Sequence, residues 1–128
     1  MEVWRRVLRY QALAALVVGS LLGMGVWIFS PWLVGVSEPW DADTPFWTLS
    51  WLAIALVGGL MGHLRGVWLP LGYALGQIIV TIPLASRSEF GVLGWLFIGG
   101  YALAAGLGTL ALVGLVTLLR RLWSRRGG

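Results

Sequence analysis

The feature that most constrains this chain is a set of four long apolar stretches that contain no arginine, aspartate or glutamate. They cover residues 10–34, 46–64, 67–84 and 90–119. A helix needs about 20 apolar residues to cross the hydrocarbon core of a bilayer. Over the whole chain only 11% of the residues are charged, whereas soluble domains carry about 25%. The sequence therefore predicts an all-α membrane protein, a four-transmembrane-helix bundle made of two antiparallel hairpins.

The first stretch follows three arginines, as the apolar part of a signal peptide also does. The apolar region of a signal peptide is only about 7–15 residues long, and this stretch covers about 25. We therefore interpret it as a membrane-spanning helix. Short loops join the stretches, so residues 1–128 are predicted to form a single transmembrane domain, with a basic tail at 120–128.

The arginines predict how the helices are oriented. Eight of the nine basic residues fall on one side of the predicted spans, and Arg87 alone falls on the other. The eight are Arg5, Arg6, Arg9, Arg65, Arg120, Arg121, Arg125 and Arg126. Because short cytoplasmic segments carry an excess of basic residues, both termini are expected to be cytoplasmic in a multi-pass protein of the cell (inner) membrane of a bacterium. The same arginines are expected to contact anionic headgroups at the cytoplasmic face.

The tryptophans are predicted to anchor the helices at the two membrane boundaries, where indole rings partition. Trp47 and Trp51 are assigned in this way to the outer boundary, together with Trp95. Trp27 alone is placed deeper in the bilayer.

A polar stripe is predicted on the third span, where Tyr73, Gln77 and Thr81 recur at four-residue spacing and so share one helix face. An unsatisfied amide near mid-membrane is costly, so Gln77 must face protein or water. One interpretation is an interhelical hydrogen bond, with Thr109 or Tyr101 as possible acceptors or donors. The other is a polar strip that lines the path of a solute.

Small residues at four-residue spacing predict close helix packing, because they let backbones approach in lipid. The predicted helix-packing residues are Gly58, Gly62, Gly72, Gly76, Gly100, Ala104 and Gly108, and Gly19 and Gly23 form a similar pair in the first span. The fourth span has small residues on more than one side, so some of its contacts are expected to be with another subunit.

The titratable residues do not form a recognisable reactive site. Cysteine is absent, His63 is the sole histidine, and no acid lies inside an apolar stretch. No metal site, cofactor or catalytic residue is therefore predicted, and the chain is not expected to be an enzyme.

Two functions remain from the sequence. The first is a non-catalytic subunit or assembly factor of a larger membrane complex, supported by the glycine rows and the minimal loops. The alternative is a small oligomeric channel or transporter, with Tyr73, Gln77 and Thr81 along its path. In either case the expected partners are the lipid bilayer and a protein partner or a second copy of the chain, and no nucleic acid.

Overall fold

The computed structural model describes the backbone of residues 1–85 and 91–127, and the side chains of all of these except 40, 84, 85, 91 and 92. Every regular element in this part is helical, which confirms the predicted all-α class. The elements are α1 (Glu2–Ile28), α2 (Ser30–Val34), α3 (Phe46–Leu60), α4 (Trp68–Ala85) and α5 (Gly91–Arg126), with two 3-10 turns at Pro39–Asp41 and Leu64–Val67. The link predicted at residues 85–89, with Arg87, and the predicted start of the fourth span at Phe90 lie outside the described residues, apart from Ala85.

Three helical segments are long and apolar enough to cross a membrane, namely Glu2–Ile28, Leu64–Pro83 and Leu93–Arg126. The helix α3 has 15 residues, so at 1.5 Å per residue it is about 22 Å long, against a hydrocarbon core of about 30 Å. The structure therefore identifies a membrane-helical protein with three span-length helices and one shorter apolar helix.

The first helix ends earlier than the apolar pattern predicts. The sequence placed one span over 10–34, whereas α1 stops at Ile28 and a separate short helix follows. Pro31 explains the break, because it has no N–H to donate to the preceding turn and its ring clashes there. The Ser30 hydroxyl donates to the carbonyl of Val36 at 2.6 Å, and Gly35 ends α2 in a left-handed conformation with φ 76°. The chain thereby turns sharply toward the loop before α3.

The helices α1 and α4 run parallel, and α3 and α5 also run parallel in the opposite direction. Contacts at successive turns show these directions. Residues 19 and 23 of α1 meet residues 69–73 and 73–77 of α4, in that order. Residues 48, 55 and 59 of α3 meet residues 101, 109 and 112 of α5 in the same way. The helix α4 packs on α1, α3 and α5. In the most apolar 18 residues of the segment Leu64–Pro83, which contains most of α4, half of the residues are buried. The corresponding shares are 22% in α1 and 17% in α5, so α4 is the central helix. One end of the bundle, which we call the arginine end, thus contains the start of α1, the turn at 61–67 and the end of α5.

Interlocked glycines hold α1 against α4. A Cβ on Gly19 or Gly23 would run into the backbone carbonyl oxygen of Leu69 or Tyr73, and a Cβ on Gly72 or Gly76 would run into that of Leu16 or Ser20. The two backbones therefore touch directly, because neither helix has a side chain in the contact. Such small-residue packing replaces the hydrophobic driving force that lipid removes.

A second close approach lies at the arginine end, between α3 and the 3-10 turn. A Cβ on Gly58 would lie 2.6 Å from the carbonyl oxygen of Gly66, and a Cβ on Gly59 would lie 2.5 Å from a methyl group of Leu112. The hydroxyl of Thr109, which is fully buried, donates to the carbonyl of Ala55 at 3.0 Å. Gly58 thus lets the 3-10 turn approach the backbone of α3, and Gly59 makes room for the Leu112 side chain of α5.

The remaining predicted packing residues lie elsewhere. Gly62 ends the turn after α3 with φ 73°, a conformation that favours glycine. A Cβ on Gly100 would have no neighbour within 4 Å among the described residues, and one on Gly108 would meet only the Cβ of Ala55 at 4.0 Å. Ala104 is exposed. The α5 row thus makes no close contact with another described helix except at Gly108, and its contact with a second subunit stays a prediction.

Candidate functional site

The amide of Gln77 lies at the centre of the bundle and joins three helices. Its side chain is fully buried, and its Oε1 accepts hydrogen bonds from the indole N–H groups of Trp27 on α1 at 3.0 Å and Trp47 on α3 at 2.9 Å. Its Nε2 is buried without a hydrogen-bond partner among the described residues. These partners differ from Thr109 and Tyr101, which the sequence suggested.

Tyr73 lies one turn before Gln77 and connects α4 to α3. Its hydroxyl is 2.6 Å from the Oγ of Ser50, and Ser50 itself donates to the carbonyl of Trp47 at 2.6 Å. Since the single hydroxyl proton of Ser50 is used in that bond, the Tyr73 hydroxyl is the donor in the first. The ring of Tyr73 meets Trp51 edge-on, with centroids 4.6 Å apart.

Thr81 lies one turn after Gln77 and connects α4 to α5. Its hydroxyl donates to the carbonyl of Gln77 at 2.8 Å and accepts from the indole N–H of Trp95 at 3.1 Å. Each member of the predicted polar stripe therefore bonds to a side chain of another helix. The structure brings all three together with Trp27, Trp47 and Trp95 in one interhelical network.

Aromatic rings fill the space between α3, α4 and α5 beside this network. The rings of Trp47 and Tyr101 have centroids 4.4 Å apart, and Trp51 lies 6.1 Å from each of them. Trp47 and Trp51, which the sequence placed at the outer membrane boundary, are 5% and 2% exposed and so face protein. The hydroxyl of Tyr101 contacts Thr48 at 3.2 Å.

A groove begins between α3 and α5 next to these rings, at the end of the bundle opposite the arginine end, and continues along the surface of α5. It consists of two cavities of about 420 and 400 Å³ that share Leu93, Phe97 and Tyr101. We call it the α3–α5 groove. The first cavity is also lined by Asp41, Thr44, Pro45, Trp47, Thr48 and Gly94, and the second by Leu96, Gly100 and Ala104.

The two halves of the α3–α5 groove differ in polarity. The first has a carboxylate and hydroxyl groups at its mouth, from Asp41, Thr44, Thr48 and Tyr101. The second presents almost only carbon, because glycine and alanine leave a shallow channel between leucine and phenylalanine side chains. An amphipathic molecule with a polar head and a long apolar chain matches this arrangement. Sequence reasoning did not identify the groove, although it singled out Gly100 and Ala104.

The described residues contain no group of three or more His, Cys, Asp or Glu side chains that could hold a metal ion. The groove therefore offers one carboxylate, hydroxyl groups and aromatic rings as its chemistry.

Comparison with known proteins gives one partial relative. The chain is 37% identical over 82 residues to a protein named protoheme IX farnesyltransferase from Pyrobaculum arsenaticum, and the match covers 59% of this chain and 29% of that protein. The chain thus spans under a third of the length of this relative. No family model matches the chain, and no solved structure matches it.

This relative overturns one expectation from the sequence. The chain was predicted not to be an enzyme because its spans lack acids, yet the matched protein is named as a transferase. The prediction of a non-catalytic subunit consequently has no support, and the channel or transporter alternative is not favoured either. The comparison and the helices together identify a membrane-helical protein with partial similarity to a protein named protoheme IX farnesyltransferase.

Proposed function

We propose that this chain is a membrane protein that binds an isoprenoid lipid in the α3–α5 groove. The observation that carries the proposal is the polarity of the groove, which has hydroxyl groups and a carboxylate at one end and an apolar channel along α5 at the other. Its two cavities, of about 420 and 400 Å³, fall within the roughly 300–1,000 Å³ of small-molecule sites.

The polar end is suited to a headgroup. Thr48 and Tyr101 contact each other at 3.2 Å, and each hydroxyl can also bond to a ligand. The indole of Trp47 bonds to Gln77, and this bond holds its ring in place as one wall of the cavity. A binding site built on side chains that are fixed in this way costs little ordering on binding.

The apolar end is suited to an isoprenoid chain. Leu93, Leu96 and Phe97 form its sides, and Gly100 and Ala104 leave room along the helix. The farnesyl group named in the relative is an isoprenoid of this kind. Binding such a chain beside a polar headgroup is the first requirement of any enzyme that transfers one.

Replacing Gly100 with leucine is expected to block isoprenoid binding without unfolding the protein. A Cβ at Gly100 has no neighbour within 4 Å among the described residues, so the new side chain fills the groove instead of clashing. We expect the purified variant in mild detergent to bind a photoreactive farnesol analogue, which carries a neutral hydroxyl headgroup, about tenfold more weakly than the unsubstituted protein, a loss of about 1.4 kcal/mol. The cross-link in the unsubstituted protein should map to the α5 peptide that contains Phe97.

The matched control is Gly99→Leu, one residue earlier on the same helix. Gly99 also has open space where its Cβ would lie, but it does not line the groove. Equal losses in the two variants, or cross-links confined to α1, would refute isoprenoid binding in the groove.

We further propose the membrane arrangement that the arginine pattern predicts, in which α3 is a fourth span and both termini are cytoplasmic. The parallel pairs α1 with α4 and α3 with α5 put the segments that contain Arg5, Arg65 and Arg120 at one end. A bilayer can thin locally around a helix as short as α3, at a modest cost per ångström.

Single engineered cysteines test this arrangement, because the natural chain contains none. An impermeant maleimide added to intact cells is expected to label Ser37→Cys, and to label Leu64→Cys and Ser124→Cys only after lysis. Labelling of Ser37→Cys and Leu64→Cys from the same side would show that α3 does not cross the membrane.

A further inference from the structure

A third cavity lies at the arginine end, at the opposite end of the bundle from the α3–α5 groove. It has a volume of about 650 Å³ and opens between the turn at Gly62 and His63 and the last part of α5. Leu110, Val113 and Gly114 line its apolar part, and Arg121 lines it closer to the C-terminal end of α5. We call it the arginine-end cavity.

The polar groups of this cavity have unused hydrogen-bonding capacity. The Nδ1 of His63 is buried without a hydrogen-bond partner among the described residues. The hydroxyl of Thr117 donates to the carbonyl of Val113 at 2.8 Å, so its proton is not available to a phosphate oxygen, although its oxygen can still accept from a hydroxyl group of a ligand. A buried nitrogen that lacks a partner is costly, so a rotation of the His63 ring that brought Nδ1 to a ligand in the cavity would relieve that cost.

Positive charge surrounds the same opening. Arg121 lines the cavity, and the guanidinium of Arg120 comes within 3.0 Å of the position that a Cβ on Gly62 would occupy. Three of the five acids of the chain, at residues 38, 41 and 43, lie in the loop at the opposite end of the bundle. The cavity therefore favours an anion.

From this combination we propose that the arginine-end cavity binds the phosphate headgroup of an anionic phospholipid. A guanidinium binds phosphate oxygens through paired charge-assisted hydrogen bonds, and His63 would add a further donor. The apolar wall from Leu110 to Gly114 would hold the upper part of an acyl chain. Charge and apolar surface occur together at this site, and this combination favours a lipid phosphate over a free phosphate ion. The proposal does not depend on isoprenoid binding, because the two sites share no residue.

Native mass spectrometry of the full chain in detergent tests the proposal, with dioleoylphosphatidylglycerol as the probe and dioleoylphosphatidylcholine as the comparison. We expect tight binding of the anionic lipid alone. Arg121→Gln is expected to weaken it about tenfold, as befits the loss of one charge-assisted contact. Gly114→Leu should weaken it similarly, because its Cβ has no neighbour within 4 Å among the described residues and the new side chain would fill the cavity.

The matched control is Arg125→Gln, which removes the same charge from the same helix end but does not line the cavity. Its effect is expected to stay under about twofold, as for a screened surface charge. Equal losses in Arg121→Gln and Arg125→Gln, or equal binding of the two lipids, would overturn the proposal. Competition by inorganic phosphate at the concentration of the lipid would also overturn it, because the acyl chain would then contribute nothing.

Discussion

Replacing Gly23 with alanine is expected to destabilise the protein strongly, because the position of the new methyl group is already occupied by the backbone of α4. The new Cβ would be forced into the carbonyl oxygen of Tyr73 and would lie 3.1 Å from the backbone nitrogen of Gln77. Neither atom belongs to a flexible side chain, so α1 and α4 must move apart as whole helices. Overpacking at a rigid contact costs about 3 kcal/mol, and here the displacement also lengthens the bond from Trp27 to Gln77.

The measurement is the free energy of unfolding in mild detergent, followed by tryptophan fluorescence. Gly99→Ala is the control, because its Cβ enters open space and alanine favours a helix over glycine by about 1 kcal/mol. We expect Gly99→Ala to be neutral or slightly stabilising. If Gly23→Ala unfolds at the same denaturant concentration as Gly99→Ala, the direct contact between the α1 and α4 backbones is wrong.

Replacing Gln77 with leucine is expected to loosen the centre of the bundle, with a loss of about 2 kcal/mol, since membrane interhelical hydrogen bonds contribute about 0.6–2 kcal/mol each. The substitution removes the acceptor of two indole N–H groups, at 3.0 Å from Trp27 and 2.9 Å from Trp47. Leucine has nearly the same volume, so little of the loss should come from packing.

Double-mutant cycles separate the two bonds. Gln77→Leu combined with Trp27→Phe, and separately with Trp47→Phe, should each show a coupling energy of about 1 kcal/mol. Thr117→Val is the control, because the Thr117 hydroxyl donates to the carbonyl of Val113 on its own helix at 2.8 Å and bonds to no other helix among the described residues. The substitution should cost under about 0.5 kcal/mol. Zero coupling in both cycles would contradict the role of Gln77 as the link between three helices.

The tryptophans illustrate how far sequence reasoning reached at the candidate site. Indole rings near the ends of apolar stretches are typical of membrane boundaries, so Trp47 and Trp51 were assigned to the outer boundary. The structure instead buries both against α4 and α5. The sequence contained one signal of an indole in the protein interior, namely Trp27, which it placed too deep for a membrane boundary. A buried indole N–H needs an acceptor, such as the amide oxygen of Gln77.

By itself the sequence determined that the chain is a helical membrane protein, because a continuous apolar stretch of about 20 residues satisfies its backbone in lipid by forming a helix, whereas barrel strands are shorter and alternate in polarity. It also determined that Tyr73, Gln77 and Thr81 share a face, since that follows from helix periodicity alone. Only the tertiary structure decided which residues meet them, and which glycines touch a neighbour instead of facing the α3–α5 groove. Periodicity assigns a residue to a face of its own helix, but its contacts depend on how that helix is rotated against the others. In this bundle the rotation is set by the interlocked glycines of α1 and α4, through contacts between residues about 50 positions apart in the chain.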